Sequence, residues 1–325
     1  VPLRDKLKQW PHLDETLADL IACCHDLGHS PLGHRGEDQL SEALRDFGGF
    51  DHNAQAVAIV ERLERRYATF DGLDLTFEAL EGIIAHNGPL VGADGLQTGK
   101  HAGKPIPKDI RRAVELRGID LAKHASAEAQ IAALADDCAY LAADLEDGVR
   151  SGVIDLRRVR EVEIVDRVWR ASDLDAVGDQ ERRAHEISRG LINRMVSDIT
   201  QTSAELLQGL THPDQVRERA EPSIRLSEPM LALQGELKSW LYANLYWSEA
   251  VKDEADEAAR NVGELATWFL EEPSLMPGEW GMGLDAADAQ MIADRVRDYV
   301  SGMTDRYAMA QHQTIASGRA LAPSI

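Results

Sequence analysis

The chain is poor in cysteine and in positive charge, it has no long hydrophobic run, and each shortage excludes something. Its three cysteines, Cys23, Cys24 and Cys138, are odd in number and include a vicinal pair. That suits neither a disulfide framework nor a zinc knuckle, and a reducing, cytoplasmic setting is expected. Lys and Arg number 35 against 56 Asp and Glu, a net charge of −21. Such a surface is not built to grip nucleic acid along its whole length. A polyanionic ligand would have to be held locally, and a metal ion is the simplest local way to invert the sign of a carboxylate-rich site. No apolar run is long enough to span a bilayer, and no signal-like segment opens the chain, so no membrane association is expected. The first residue is Val1 rather than Met, and a missing N-terminal part is expected.

What is present is a globular composition, 325 residues with 44 % apolar, enough for one large domain or two smaller ones. Helical periodicity dominates. Leu17, Leu20, Ile21, Cys24 and Leu27 recur at spacings of three and four. From Ala127 to Arg150, Ile131, Leu134, Cys138, Leu141, Leu145 and Val149 form a continuous stripe, with Gly152 as the stop. Only Val153 to Leu156 and Glu163 to Val168 read as short strands. Gly88 to Lys108 reads as a long lid or binding loop, and Glu271 to Gly283 as a second irregular stretch. The expectation is an all-α protein, with a helical core over residues 1–150 and a helical C-terminal portion, 151–325, packed on it.

The chemistry concentrates between positions 24 and 37, in Cys-His-Asp-Leu-Gly-His-Ser-Pro-Leu-Gly-His-Arg-Gly-Glu. His25 and Asp26 at a helix end can share a metal only if the terminus bends, which Gly28 permits. Further ligands are offered by the helix over 127–150, where Asp136, Tyr140 and Asp144 stand at i, i+4 and i+8 in one line, away from the apolar stripe. Alanines flank that line, leaving room for a ligand, whereas a solvated acidic face normally carries Lys and Arg. Mixed imidazole and carboxylate donors favour a hard or borderline divalent ion, Mn²⁺ or Mg²⁺ first, with Ni²⁺, Fe²⁺ or Zn²⁺ as alternatives.

These residues resemble the HD motif of the dGTPase-like deoxynucleoside triphosphate triphosphohydrolases, within the HD-domain superfamily. Four further segments match in the same order: 48–55 (Gly-Gly-Phe-Asp-His-Asn-Ala-Gln), 70–76 (Phe-Asp-Gly-Leu-Asp-Leu-Thr), 81–89 (Glu-Gly-Ile-Ile-Ala-His-Asn-Gly-Pro) and 298–308 (Asp-Tyr-Val-Ser-Gly-Met-Thr-Asp-Arg-Tyr-Ala). The resemblance implies an HD-domain helical bundle with additional C-terminal helices. It implies a divalent metal on His25, Asp26 and Asp136, a catalytic pair of His34 and Glu37 in which the carboxylate orients and charges the imidazole, and a pocket lined by His29 and His52. Asn53, Tyr140 and Asp144 match substrate-binding positions. A tyrosine ring against C2′ leaves no room for a ribose hydroxyl, and a carboxylate accepts from the 3′-hydroxyl.

The implied reaction is hydrolysis of a deoxynucleoside triphosphate at the α-phosphorus, giving a deoxynucleoside and tripolyphosphate. Lys100, His101, Lys104, Lys108, Arg111 and Arg112 are candidates for holding the β- and γ-phosphates. The alternatives are an HD phosphohydrolase acting on nucleoside monophosphates or other phosphoesters, and a weakly catalytic regulator that binds dNTP or nucleic acid. A homo-oligomer and single-stranded nucleic acid as a regulator are the partners implied. Trp240 to Trp247 is an aromatic run that serves core packing or an interface. Two departures stand out. The family's first metal histidine, in an R-x-x-H context, has no counterpart between Val1 and His25, since His12 is too close to the HD pair, and Leu32 replaces the family's phenylalanine.

Overall fold

The computed structural model describes residues 13–246, 249–284 and 287–318, and the all-α expectation holds across them. In chain order the helices are α1 (Glu15–Cys24), α2 (Gly33–Ala43), α3 (His52–Ala58), α4 (Phe77–Ala85), α5 (Lys108–Arg117), α6 (Ala127–Arg150), α7 (Leu156–Val159) and α8 (Glu163–Ala171). They continue with α9 (Gln180–Leu207), α10 (Asp214–Arg217), α11 (Glu228–Leu241), α12 (Glu249–Glu271), α13 (Ala289–Ser301) and α14 (Asp305–Ala316). Among the described residues, extended pairing is confined to one isolated antiparallel bridge between Val91 and Gln97. None of the described helices is long and apolar enough to cross a membrane.

The chain divides into two compact units. One takes in the described residues of 1–22, 85–102 and 120–252, the other those of 23–84, 103–119 and 253–325.

The first unit is organised by α6, which runs over the residues its periodicity indicates. Ser126 caps it by accepting from the Ala129 backbone N–H at 3.3 Å, and Gly152, at φ 77°, takes the left-handed conformation just beyond its end. Ile131, Cys138, Leu141, Leu145 and Val149 are buried along one face. That face packs on α9, while α8 and α11 close over the same core with Val165, Trp169, Leu237 and Leu241. Residues 163–171 are a helix rather than the strand their β-branched residues suggest. Ile164, Val165, Val168 and Trp169 fall on one side of a 3.6-residue period and are all buried, and that burial decides the conformation. The other short strand candidate, 153–156, is a turn entering α7.

The second unit is built around Leu40, Leu44 and Phe50 packed with Val262, Leu265, Phe269, Val296, Tyr299 and Val300. After α3 the chain passes into a π-turn, Ile59–Leu63, which carries Arg62. The motif over 70–76 latches this turn, with Gly72 N–H donating to Glu64 O and Leu73 N–H to Val60 O, both at 2.7 Å. The motif over 298–308 latches the opposite end of the chain. Asp298 accepts from Arg62 at 2.8 and 3.1 Å, and Asp305 accepts from the Leu32 backbone N–H at 2.9 Å. Leu32 itself sits at φ 64° as the cap of α2, a conformation that costs energy for a side chain branched beyond Cβ. The Asp305 bond holds it there.

Candidate active site

α1 ends at Cys24, and a tight turn through Leu27 and Gly28 follows, with Leu27 N–H donating to Cys24 O at 3.2 Å. The turn presents His25 as a buried imidazole, 5 % exposed, and Asp26 as a solvent-facing carboxylate. Leu27 points outward rather than continuing the apolar face of α1. Gly28 has a specific task here. A Cβ at this position would lie 2.0 Å from the carbonyl oxygen of His52 and 2.3 Å from the Ala56 nitrogen. The turn therefore lies directly on the backbone of α3, and only glycine permits that approach.

This contact brings the second motif to the first. Asp51 caps α3 by accepting from Ala54 N–H at 2.9 Å, so His52 and Asn53 occupy its opening turn. His52 stacks on His29 with ring centroids 4.2 Å apart and planes 12° apart. His34, in the first turn of α2, stands edge-on to both, at 5.0 Å from His29 and 5.7 Å from His52. Each of the three offers a ring nitrogen within 4.8 Å of the others. Two carboxylates flank them. Glu37 Oε2 lies 2.7 Å from His52 Nδ1, and Oε1 accepts from the His52 backbone N–H at 3.1 Å. Asp26 Oδ1 lies 3.4 Å from His29 Nε2.

The electrostatics follow from this wiring. The hydrogen bond from His29 holds the Asp26 carboxyl down at about 2, against its partial burial, so it is a carboxylate at neutral pH. His34 moves the other way: partial burial and the neighbouring His29 and His52 push its pKa below the ordinary value, outweighing the pull of Glu37 and Asp26. Glu37 does pull His34 toward its charged form, as expected, but burial and the two neighbouring imidazoles outweigh that pull. Glu37 acts most directly on His52, and His34 is favoured as a neutral imidazole that can accept a proton. Asn53 is 5 % exposed, and its Oδ1 is buried without a hydrogen-bond partner among the described residues, an acceptor left for a ligand or water.

The HD pair suits a hard or borderline cation. His25 Nε2 and Asp26 Oδ2 lie 3.4 Å apart, near the ~3 Å between adjacent ligands of an octahedral ion with bonds of ~2.1 Å. One nitrogen and one carboxylate oxygen are donors that Mn²⁺, Mg²⁺ or Fe²⁺ accept.

In the first unit, Asp136, Tyr140 and Asp144 stand on α6 as the periodicity requires, the first two exposed and Asp144 half-buried. Asp144 accepts from the hydroxyl of Tyr246, and the ring of Tyr246 stacks on that of Tyr140 at 6.3 Å and 18°. Burial pushes the Asp144 carboxyl up to about 6, opposed by the Tyr140 hydroxyl and reinforced by Asp147. Tyr140 in turn is pushed up to about 12 by burial and by Asp144. Core packing accounts for Leu241, Leu245 and Tyr246 in the aromatic run, the last partly buried against the same core, but not for Tyr242, which is exposed. Trp247 lies outside the described residues, as does His12. Of the basic residues proposed for the phosphates, His101 is buried and Lys108 is paired with Asp294 at 2.9 Å.

Comparison with known proteins agrees with the motifs. Residues 3–141 match the HD domain and residues 224–314 the phosphohydrolase-associated domain. A deoxyguanosinetriphosphate triphosphohydrolase-like protein of Brucella canis is 41 % identical over 310 residues, covering 93 % of this chain and 75 % of the relative. Similar proteins occur in Mesorhizobium japonicum, 40 % identical over 309 residues (93 % and 74 % covered), and in Azorhizobium caulinodans, 42 % identical over 310 (92 % and 75 %). The chain belongs to the dGTPase-like family of HD-domain proteins. Membership makes it a phosphohydrolase of that superfamily.

Proposed function

We propose that the protein hydrolyses deoxynucleoside triphosphates at the α-phosphorus, releasing a deoxynucleoside and tripolyphosphate. The observation that carries this reading is the nest of His29, His34 and His52 flanked by Asp26 and Glu37, immediately beside the HD pair. Imidazoles gathered between two carboxylates give donors for phosphoryl oxygens and groups able to move protons on both sides of an in-line displacement. The metal set carried over by motif is His25, Asp26 and Asp136. An ion held by them would polarise a phosphoryl oxygen and acidify water. Mn²⁺ and Mg²⁺ are the ions that fit these donors best.

Within the nest, neutral His34 takes a proton from the attacking water. The bond from the α-phosphorus to the 5′-oxygen breaks as the new P–O bond forms, and His52, fixed through Nδ1 by Glu37, donates to the departing oxygen. His29 stacks on His52 and links it to Asp26. The sugar is read by Tyr140 against C2′ and by Asp144 at the 3′-hydroxyl, and Asn53 offers its buried carbonyl oxygen to the ligand. The test is turnover of dGTP, GTP and dGMP with Mn²⁺ by wild type, Asp136→Ala and His34→Ala. Tripolyphosphate released from dGTP by wild type alone supports the reading, and equal release by both variants overturns it.

A further inference from the structure

The end of α11 adds a residue to the sugar-reading side of the first unit. We propose that Tyr246 is a positioning residue, which fixes the Asp144 carboxylate and the Tyr140 ring in the arrangement that separates a 2′-deoxy sugar from a ribose. The inference rests on the reading that Tyr140 and Asp144 receive the sugar.

Helix α11 does not simply stop at Leu241. It widens into a π-turn, Tyr242–Tyr246, and such turns change the phase of the side chains that follow. The turn is pinned to α6 by its apolar residues. Leu241 is fully buried, and Leu245 shares the space above Gly148 with Ile154, where a Cβ would come within 2.4 Å of the Ile154 Cδ1 and 3.2 Å of the Leu245 Cδ1. Gly148 stands one helical turn beyond Asp144. Docking Leu245 there sets the next residue, Tyr246, over Asp144, and its hydroxyl donates to Oδ2. The ring of Tyr246 is packed between two others, stacked on Tyr140 and edge-on to Tyr242 at 5.0 Å and 62°. Tyr140 and Tyr242 are 51 % and 45 % exposed, so the centre of the cluster is Tyr246 and its outer rings face solvent.

The chemistry gives this arrangement a purpose. A carboxylate has acceptor capacity for about four hydrogen bonds. The hydroxyls of Tyr246 and Tyr140 use part of it and fix the plane of the group. The remaining lone pairs then point in one direction. A carboxylate free to rotate would accept from a ribose 2′-hydroxyl as readily as from a 3′-hydroxyl, and a Tyr140 ring free to swing would make room for the extra oxygen. Selectivity of this kind requires both groups to be held.

The experiment uses the full chain and Tyr246→Phe, which keeps the ring and removes the hydroxyl, alone and combined with Asp144→Asn. The measurements are kcat and KM for dGTP and GTP with Mn²⁺, and the thermal midpoint. For Tyr246→Phe the expected result is a KM for dGTP raised about tenfold, kcat within about twofold, and an unchanged midpoint. The preference for dGTP over GTP in kcat/KM falls about tenfold, and the substitution has no further effect in the Asp144→Asn background. If wild type prefers dGTP and Tyr246→Phe prefers it equally, or if the two substitutions act independently, Tyr246 does not position Asp144 and the proposal is overturned while the sugar reading stands. If wild type shows no preference for the deoxy sugar, the sugar reading itself fails and the proposal falls with it.

Discussion

Glu37 grips His52 twice, at Nδ1 (2.7 Å) and at the backbone N–H (3.1 Å), so the carboxylate whose charge acts on His34 also anchors a second imidazole. A carboxylate on Nδ1 fixes the ring's tautomer and turns Nε2 toward His29 and His34. Glu37→Gln keeps an acceptor at this place and removes the charge. Steady-state turnover of dGTP should drop roughly 10–100-fold, as is usual when a carboxylate behind a functional imidazole is neutralised, with the thermal midpoint little changed. Turnover within twofold of wild type would show that the pair is only structural.

Gly28→Ala tests how the two motifs are joined. The added Cβ would meet backbone atoms at 2.0 and 2.3 Å, and backbone cannot rotate out of the way. Urea unfolding should show a loss of about 1–3 kcal/mol, and activity should fall further than stability because His52 moves away from His29.

The buried ion network around the π-turn makes a third prediction. Arg62 is bonded to Asp298 and to Asp109, and Arg297 reaches the same two carboxylates at 3.0 and 3.3 Å. Arg62→Met leaves two buried carboxylates sharing one guanidinium, at a cost of about 2 kcal/mol, less than for a wholly unpaired buried charge. Arg65, in an exposed pair with Glu279, is the control, and Arg65→Met should leave the urea midpoint where it is.

Asp144 gives a pH dependence with a definite sign. Its carboxyl is raised from 3.8 to about 6 by burial, so the fold binds this proton more tightly than the unfolded chain does. The contribution is complete below the unfolded value and is lost as pH rises through the folded one. Between about pH 4 and pH 6, wild type should lose about 1 kcal/mol more stability than Asp144→Asn, a figure already reduced for the half exposure of the group. Parallel curves in chemical denaturation would contradict it.

Much of this was legible in the sequence, for reasons that differ by residue. Helix α6 carries a stripe long enough that only one period fits, so its ends and buried face follow directly. The histidine-rich segment was conspicuous because its density and its glycines have no use in an ordinary helix. What stayed hidden depends on contacts between distant positions. The pairing of Glu37 with His52 exists because Gly28 lets a turn lie on α3, and the link between Tyr246 and Asp144 spans 102 positions and passes through a π-turn. The segment 163–168 misled because isoleucine and valine favour strands locally, whereas burial of Ile164, Val165, Val168 and Trp169 on one face of the helix 163–171 outweighs that preference. The motifs over 70–76 and 298–308 carry the resemblance to the family, yet the hydrogen bonds found there are those of structural latches, something spacing alone does not reveal.

The most direct measurement of the central claim is hydrolysis of dGTP with Mn²⁺ in ¹⁸O-labelled water, followed by mass spectrometry of both products. Attack at the α-phosphorus puts the label in tripolyphosphate and leaves the deoxyguanosine 5′-hydroxyl unlabelled, and His25→Ala, Asp26→Ala and Asp136→Ala should each abolish the products. Label in the nucleoside, pyrophosphate or orthophosphate in place of tripolyphosphate, or full turnover by those variants would contradict the account.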